Sequence, residues 1–220
     1  MSERILVIAT RNRGKSSEIR RVLRDFPVQV KDLNDFGPLP EPVEDGATFE
    51  ENAYKKAGFT AKVLGLPALA DDSGLEVEAL GSEPGVYSAR YAGPAATDAE
   101  NNLKLLDAMR GVENRKARFR CVLSLAVPSG PALTYEAFCE GVIVDSPRGE
   151  NGFGYDPLFL YPPLGKTFAE MSGEEKLSVS HRGRALKELG NEFDKVIQWL
   201  RCRQEEEDAR RGAHEMCVDR

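Results

Sequence analysis

Ile5-Leu6-Val7-Ile8-Ala9-Thr10-Arg11-Asn12-Arg13-Gly14-Lys15 passes from a continuous apolar run into a polar turn. A β-branched run without alternation predicts a strand buried on both faces, the kind found in parallel sheets. Ser16 and Ser17 lead into Ile19, Val22, Leu23 and Phe26, an apolar stripe at helical spacing. Strand, turn and helix in succession predict an α/β architecture. In such a turn the free N–H groups and the dipole of the helix face one point, and Lys15 adds a charge, so the turn reads as an anion site. The glycine spacing is not that of a Walker loop. The same residues also describe an ordinary βα turn with solvated Arg and Lys side chains.

A second stretch carries the chemistry. Ala70-Asp71-Asp72-Ser73-Gly74 follows Leu66-Pro67-Ala68-Leu69, which reads as a strand ending at the acidic pair. Neighbouring carboxylates repel, and burial makes them resist ionisation. A hard cation such as Mg²⁺, shared with substrate phosphates, removes the conflict. A solvated Asx-turn removes it too. Beyond the pair, Leu75, Val77 and Ala79 alternate with Glu76 and Glu78, the pattern of a half-exposed strand.

The composition narrows the function classes. The 220 residues carry a net charge of −6, so there is no global field to draw in nucleic acid. A phosphate ligand therefore needs a local basic pocket or a metal. Cys121, Cys139, Cys202 and Cys217 show neither CxxC nor zinc spacing, and the first two lie in apolar runs as buried thiols. No signal peptide and no membrane-length apolar run is predicted, and a reducing cytoplasm fits by default. No internal repeat or linker divides the chain. A single domain of two lobes over 1–200 is expected, with a charged tail over 201–220 that frays or is disordered.

Other segments add candidates. The Pro- and Gly-rich loop Phe36 to Pro42 leads to Glu44, which reads either as a dipole partner of the next helix or as a metal carboxylate. Thr48-Phe49-Glu50-Glu51 has capping-box form and opens a helix through Ala53, Ala57 and Ala61. Lys55, Lys56 and Lys62 on it are solvated charges unless one turns toward the acidic pair to hold a phosphate. Arg90, between Tyr87 and Tyr91, suits a base, a phosphate or a subunit contact. Thr97 and Glu100 form a second capping box, for a helix with Leu103, Leu106 and Met109. Phe119 to Val127 and Leu133 to Val144 predict an antiparallel hairpin turning at Pro128-Ser129-Gly130-Pro131. In Gly149 to Pro157, Phe153 and Tyr155 can stack on a base and Asp156 can accept hydrogen bonds, or the loop is a surface loop on a buried aromatic anchor. Lys176 and Ser180-His181-Arg182 precede or open one last helix carrying Leu186, Leu189, Phe193 and Leu200. Cations disfavour that helix end, so an anionic partner is expected there.

These strings together resemble the Ham1-like nucleoside triphosphate pyrophosphatases, also called inosine triphosphatases or dITP/XTP pyrophosphatases. The resemblance rests on Ala9 to Lys15, Thr48 to Ala53, Leu69 to Leu75, Pro84 to Tyr91, Gly152 to Pro157 and Ser180 to Gly183, in the family's order. Arg11 departs from it, since the family usually has Gly in a Thr-Gly-Asn turn, and the tail after Leu200 lies outside the shared pattern. The resemblance implies an elongated mixed sheet flanked by helices, in two lobes with an active-site cleft between. It implies that Thr10, Arg11, Asn12, Arg13, Gly14 and Lys15 bind triphosphate with Lys56, and that Asp72 is the catalytic acid–base residue. Mg²⁺ is then held by Asp72 and Glu44, and Ser73 contacts substrate. Phe153, Gly154, Tyr155 and Asp156 line the base pocket, completed by Lys176, His181 and Arg182.

The reaction implied is hydrolysis of ITP, dITP, XTP or dXTP to the monophosphate and pyrophosphate, which cleanses the nucleotide pool. A homodimer acting on small-molecule nucleotides is implied, with no nucleic-acid or membrane partner. The alternatives are a Maf-like pyrophosphatase of other specificity and a non-catalytic nucleotide-binding module. The Phe-Gly-Tyr-Asp and Ser-His-Arg strings favour the first reading.

Overall fold

The computed structural model describes residues 4–128 and 130–218. One mixed sheet of seven strands organises it, in the order β2-β1-β3-β4-β5-β6-β7. The strands are β1 (Arg4–Ile8), β2 (Val28–Asp32), β3 (Ala68–Val77), β4 (Lys116–Ala126), β5 (Ala132–Ile143), β6 (Phe159–Tyr161) and β7 (Lys166–Thr167). β1 runs parallel to β2 and to β3, and every later pairing is antiparallel. The expected α/β class, mixed sheet and hairpin are all present.

The helices are α1 (Arg13–Leu23), α2 (Phe49–Leu64), α3 (Asp98–Ala108), α4 (Gly173–Val179), α5 (His181–Asn191) and α6 (Phe193–Val218). Their ends follow the local code. Thr48 accepts from Glu51 N to start α2, and Gly65 closes it in the left-handed conformation. Thr97 and Glu100 complete a reciprocal capping box at α3.

Strand alternation sorts the core. On one sheet face Leu6, Ile8, Leu69, Leu123 and Leu125 pack with Ile19 and Leu23 of α1, Leu186 and Leu189 of α5, and Phe193 of α6. On the opposite face Val7, Ala68, Ala70 and Ala126 meet Ala57 and Ala61 of α2. Alanine against alanine brings this helix close to the sheet. At the far end Leu75, Val77, Phe119 and Ile143 pack with Leu105 of α3 and with Phe159 and Phe168, forming the second lobe. Each fully buried leucine contributes about 1.5–3 kcal/mol.

Four expectations change. The acidic pair is not at a strand end: β3 continues through it to Val77, and Asp71 and Asp72 sit in mid-strand, both buried. The half-exposed strand expected after it is largely buried, Glu76 included. The single last helix is three, α4 to α6, with Ser180 capping α5 by accepting from Gly183 N. The segment read as a frayed tail is helix as far as Val218, a composition of Arg, Glu, Gln and Ala being good helix-forming material without an apolar face. Ser129 of the hairpin turn and residues 219–220 lie outside the described residues.

Candidate active site

Side chains alternate along a strand, so consecutive residues face opposite sides of the sheet. Asp71 therefore shares the side of Leu69, beneath α1 and α5, and Asp72 shares the side of Ala70, beneath α2. The repulsion foreseen between them is relieved by separate cations, one set on each face.

On the α2 face, Lys56 Nζ donates to Asp72 Oδ1 at 2.6 Å and reaches Glu44 Oε2 at 3.5 Å. One ammonium thus joins the two carboxylates that the sequence offers for a metal. Burial pushes the Asp72 carboxyl above its ordinary value, against the pull of Lys56 and Lys15. Burial alone would lower Lys56, but Asp72 and Glu44 raise it. Arg90 lies outside this cluster at the rim, its guanidinium donating to the Glu44 carbonyl at 3.4 Å. The donor set fits a hard divalent ion: two carboxylates, and among the described residues no group of three His, Cys, Asp or Glu that would form a closed cage. Mg²⁺ is held by one or two carboxylates and completes its shell with water and phosphate.

On the other face Asp71 is fully buried and ion-paired to Lys15. Arg182 Nε donates to its Oδ2 at 2.9 Å, and Ser73 Oγ to the same oxygen at 2.7 Å. Burial would raise the Asp71 carboxyl, but Arg182 and Lys15 hold it well below the usual range. Arg182 is also paired with Glu18 of α1, and Lys176 Nζ lies 3.1 Å from Glu18 Oε1 and 2.6 Å from Asp156 Oδ2. Here the anionic partners expected for the basic trio are the protein's own carboxylates. His181 is buried with its ring stacked on Phe119, centroids 4.6 Å apart. Burial, helped by Arg182 and Lys176, keeps its pKa well below 6.5, so the imidazole is neutral.

The loop at Phe153 closes the arrangement. Lys176 Nζ sits 4.5 Å from the Phe153 ring centroid and Arg182 Cζ sits 5.6 Å from it. Gly14 lies directly beneath this ring, because a Cβ there would fall 2.6 Å from Phe153 Cδ1. The phosphate turn and the aromatic loop therefore touch. Asn12 caps α1 by accepting from Lys15 N at 3.0 Å, and Thr10 Oγ1 accepts from Asn12 N at 3.1 Å. Asp156 Oδ2 accepts from Phe153 N at 2.9 Å. Gly154 is gripped by α3, donating to Asp98 Oδ2 at 2.6 Å and accepting from Asn102 Nδ2 at 2.9 Å.

Not every candidate joins the cluster. Arg11 turns away to donate to the Leu33 carbonyl at 3.0 Å. Arg13 lies in a groove with Arg20, Arg24 and Asp32 on the outer side of α1. Tyr155 is buried in the second core, its hydroxyl donating to Ser88 O at 2.9 Å, so its ring is an anchor of the loop and is not free to stack on a base. A surface cleft of about 790 Å³ lies elsewhere, and its buried Glu76 is already paired with Arg118 at 2.6 Å. The sequence reading passed over Glu18, Asp98 and Asn102. Glu18 was traceable, since it follows Lys15 by one helical turn. The other two depend on a contact between α3 and a loop more than fifty residues away.

The Ham1 family model matches residues 6–192. The chain belongs to the Ham1 family. A Ham1 relative from Syntrophobacter fumaroxidans, named dITP/XTP pyrophosphatase, is 73% identical over 219 residues, spanning 99% of this chain and 94% of its own. One from Thermus thermophilus with the same name is 59% identical over 186 residues, 84% of this chain and 89% of its own. Among solved structures, a HAM1 protein from Coxiella burnetii superposes with a TM-score of 0.81 at 44% identity, covering 87% of this chain and 99% of that one. The Staphylococcus aureus Ham1 protein gives 0.79 at 41% identity, covering 88% and 100%. The Ham1 fold thus accounts for both lobes, and α6 beyond residue 192 lies outside the family model.

Proposed function

We infer that this Ham1-family chain hydrolyses non-canonical purine nucleoside triphosphates, ITP, dITP, XTP and dXTP, to the monophosphate and pyrophosphate. One observation carries the reading. The lysine of the phosphate turn and the arginine of the base pocket meet on the same buried carboxylate, Asp71. The groups assigned to the anion site and to the base site therefore adjoin one another at Asp71. The names of the similar proteins support the same substrate class.

In the mechanism, water attacks the α-phosphorus and pyrophosphate leaves. The turn at Thr10 to Lys15 receives the phosphates at the N-terminus of α1. Lys15 and Lys56 stabilise the charge that builds on the departing pyrophosphate. Asp72 accepts the water proton as Lys56 turns from it to the phosphates. Glu44 and Asp72 would hold Mg²⁺, which would supply neutralisation of phosphate charge. Phe153 stacks on the base, and Arg182 or the neutral His181 donates to the 6-keto oxygen of hypoxanthine or xanthine. Adenine presents a donor at that position and leaves the site donor unpaired, which is how polar pockets reject a wrong base. Guanine shares the keto group, so its exclusion rests on another feature.

The protein acts as a cytoplasmic homodimer in this reading. Buried free thiols at Cys121 and Cys139 support a reducing compartment, and among the described residues no helix is long and apolar enough to cross a membrane. The deciding experiment is a panel of nucleoside triphosphates with Mg²⁺, assayed for pyrophosphate and monophosphate. Release from ITP and XTP well above that from ATP is expected. Release from none of them, or from pyrimidine nucleotides first, refutes the reading.

A further inference from the structure

Asp71 has more partners than a charge-balancing residue needs. Lys15 pairs with Oδ1, and Arg182 Nη2 reaches the same oxygen at 3.4 Å. Arg182 Nε, Ser73 Oγ and Cys121 Sγ reach Oδ2 at 2.9, 2.7 and 3.1 Å. Five contacts exceed the roughly four lone-pair sites of a carboxylate, so the partners compete for its two oxygens. The two cations come from opposite ends of the chain, on α1 and α5, which pack side by side in the first core.

They differ in freedom. The Arg182 side chain is 2% exposed and is gripped from its other side by Glu18, whereas the Lys15 side chain is 17% exposed. Lys15 is the member free to swing between Asp71 and an incoming phosphate. Its distribution between the two depends on how strongly Arg182 engages the same carboxylate.

We propose that Asp71 is a positioning residue that couples base recognition to phosphate handling: a base seated on Arg182 changes that arginine's hold on Asp71 and so sets where Lys15 stands. The proposal rests on the functional reading above and assigns to the first aspartate a role separate from that of Asp72. A matching 6-keto base then acts on turnover as well as on binding. The reasoning is thermodynamic, since two ligands that bias one shared element are linked reciprocally.

The test compares Asp71→Asn with wild type for ITP and ATP, separating kcat from KM. The amide keeps the shape and removes the charge that both cations share. If Asp71 couples the sites, kcat for ITP falls further than kcat for ATP, by on the order of tenfold, so that the kcat preference shrinks. If Asp71 serves only to hold the fold or to neutralise Lys15, both kcat values fall by the same factor, and the proposal is overturned. A second measurement needs no variant and so survives a failure of Asp71→Asn to fold. Tripolyphosphate binding to the wild-type protein is measured by calorimetry with and without inosine, using adenosine as the control. A shift of about fivefold or more in tripolyphosphate affinity with inosine alone supports the coupling. Independent binding of both fragments overturns it and leaves the functional reading standing. Failure of either fragment to bind overturns both.

Discussion

His181 offers a test of the base pocket that does not require substrate. Its imidazole is buried and held neutral among Arg182, Lys176 and Lys15, with Asp71 the opposing charge. The native pKa lies well below the unfolded value of about 6.5, so below that pH the unfolded chain binds a proton that the native state refuses. Stability from this residue is intact above about pH 6.5 and is lost as the pH falls, at up to about 1.4 kcal/mol per unit. From about pH 7.5 to about pH 5 the loss has a ceiling of about 2 kcal/mol, reached when the native imidazole stays neutral throughout. His181→Asn removes the titration. It also removes the stack on Phe119, but that cost does not depend on pH. Urea unfolding of both proteins at the two pH values isolates the effect, because carboxylates and His214 are common to both and cancel. The wild type should lose more than the variant on acidification, by up to about 2 kcal/mol. Equal losses would mean that the imidazole charges freely in the native state, and the picture of a neutral, dry base pocket would be wrong.

Other predictions concern turnover. Asp72→Asn should lower kcat by about 10²–10⁴ with an unchanged circular dichroism spectrum, and normal activity would remove Asp72 from the chemistry. Chelation by EDTA should abolish pyrophosphate release and Mg²⁺ should restore it; full activity in EDTA would exclude the role given to Glu44 and Asp72. Gly14→Ala places a methyl 2.6 Å from Phe153 Cδ1 and should displace the ring from the phosphate turn. KM for ITP should rise about tenfold, in line with the 1–3 kcal/mol that overpacking costs, and an unchanged KM would show that Phe153 does not stack there.

The fold was legible where local signals and burial agree. The run Ile5 to Ala9, the capping box at Thr97 and the two long hairpin strands needed no tertiary information. The acidic pair was misread because Asp, Ser and Gly are turn formers and neither partner is near in sequence. Lys56 lies 16 residues upstream of Asp72 and Arg182 lies 111 residues beyond Asp71. These distant cations keep β3 extended through residues that would otherwise break it, a tertiary override of local preference. Period-two alternation, applied through the pair, would have put the carboxylates on opposite faces. The two aromatics of the loop show a related limit: the sequence pattern exposes both alike, and only the position of Ser88 decides that the Tyr155 ring is the anchored one.

The long strands limit how this enzyme can grasp a ligand. β3, β4 and β5 run unbroken from the first lobe's core into the second's, and they are hydrogen-bonded to one another along their length. A sheet shared in this way has no loop hinge at its waist, so any swing of the halves must bend hydrogen-bonded strands. Capture therefore falls to the short connections at the rim, above all the segment bearing Phe153, and opening and closing should occur at loop speed with the scaffold at rest.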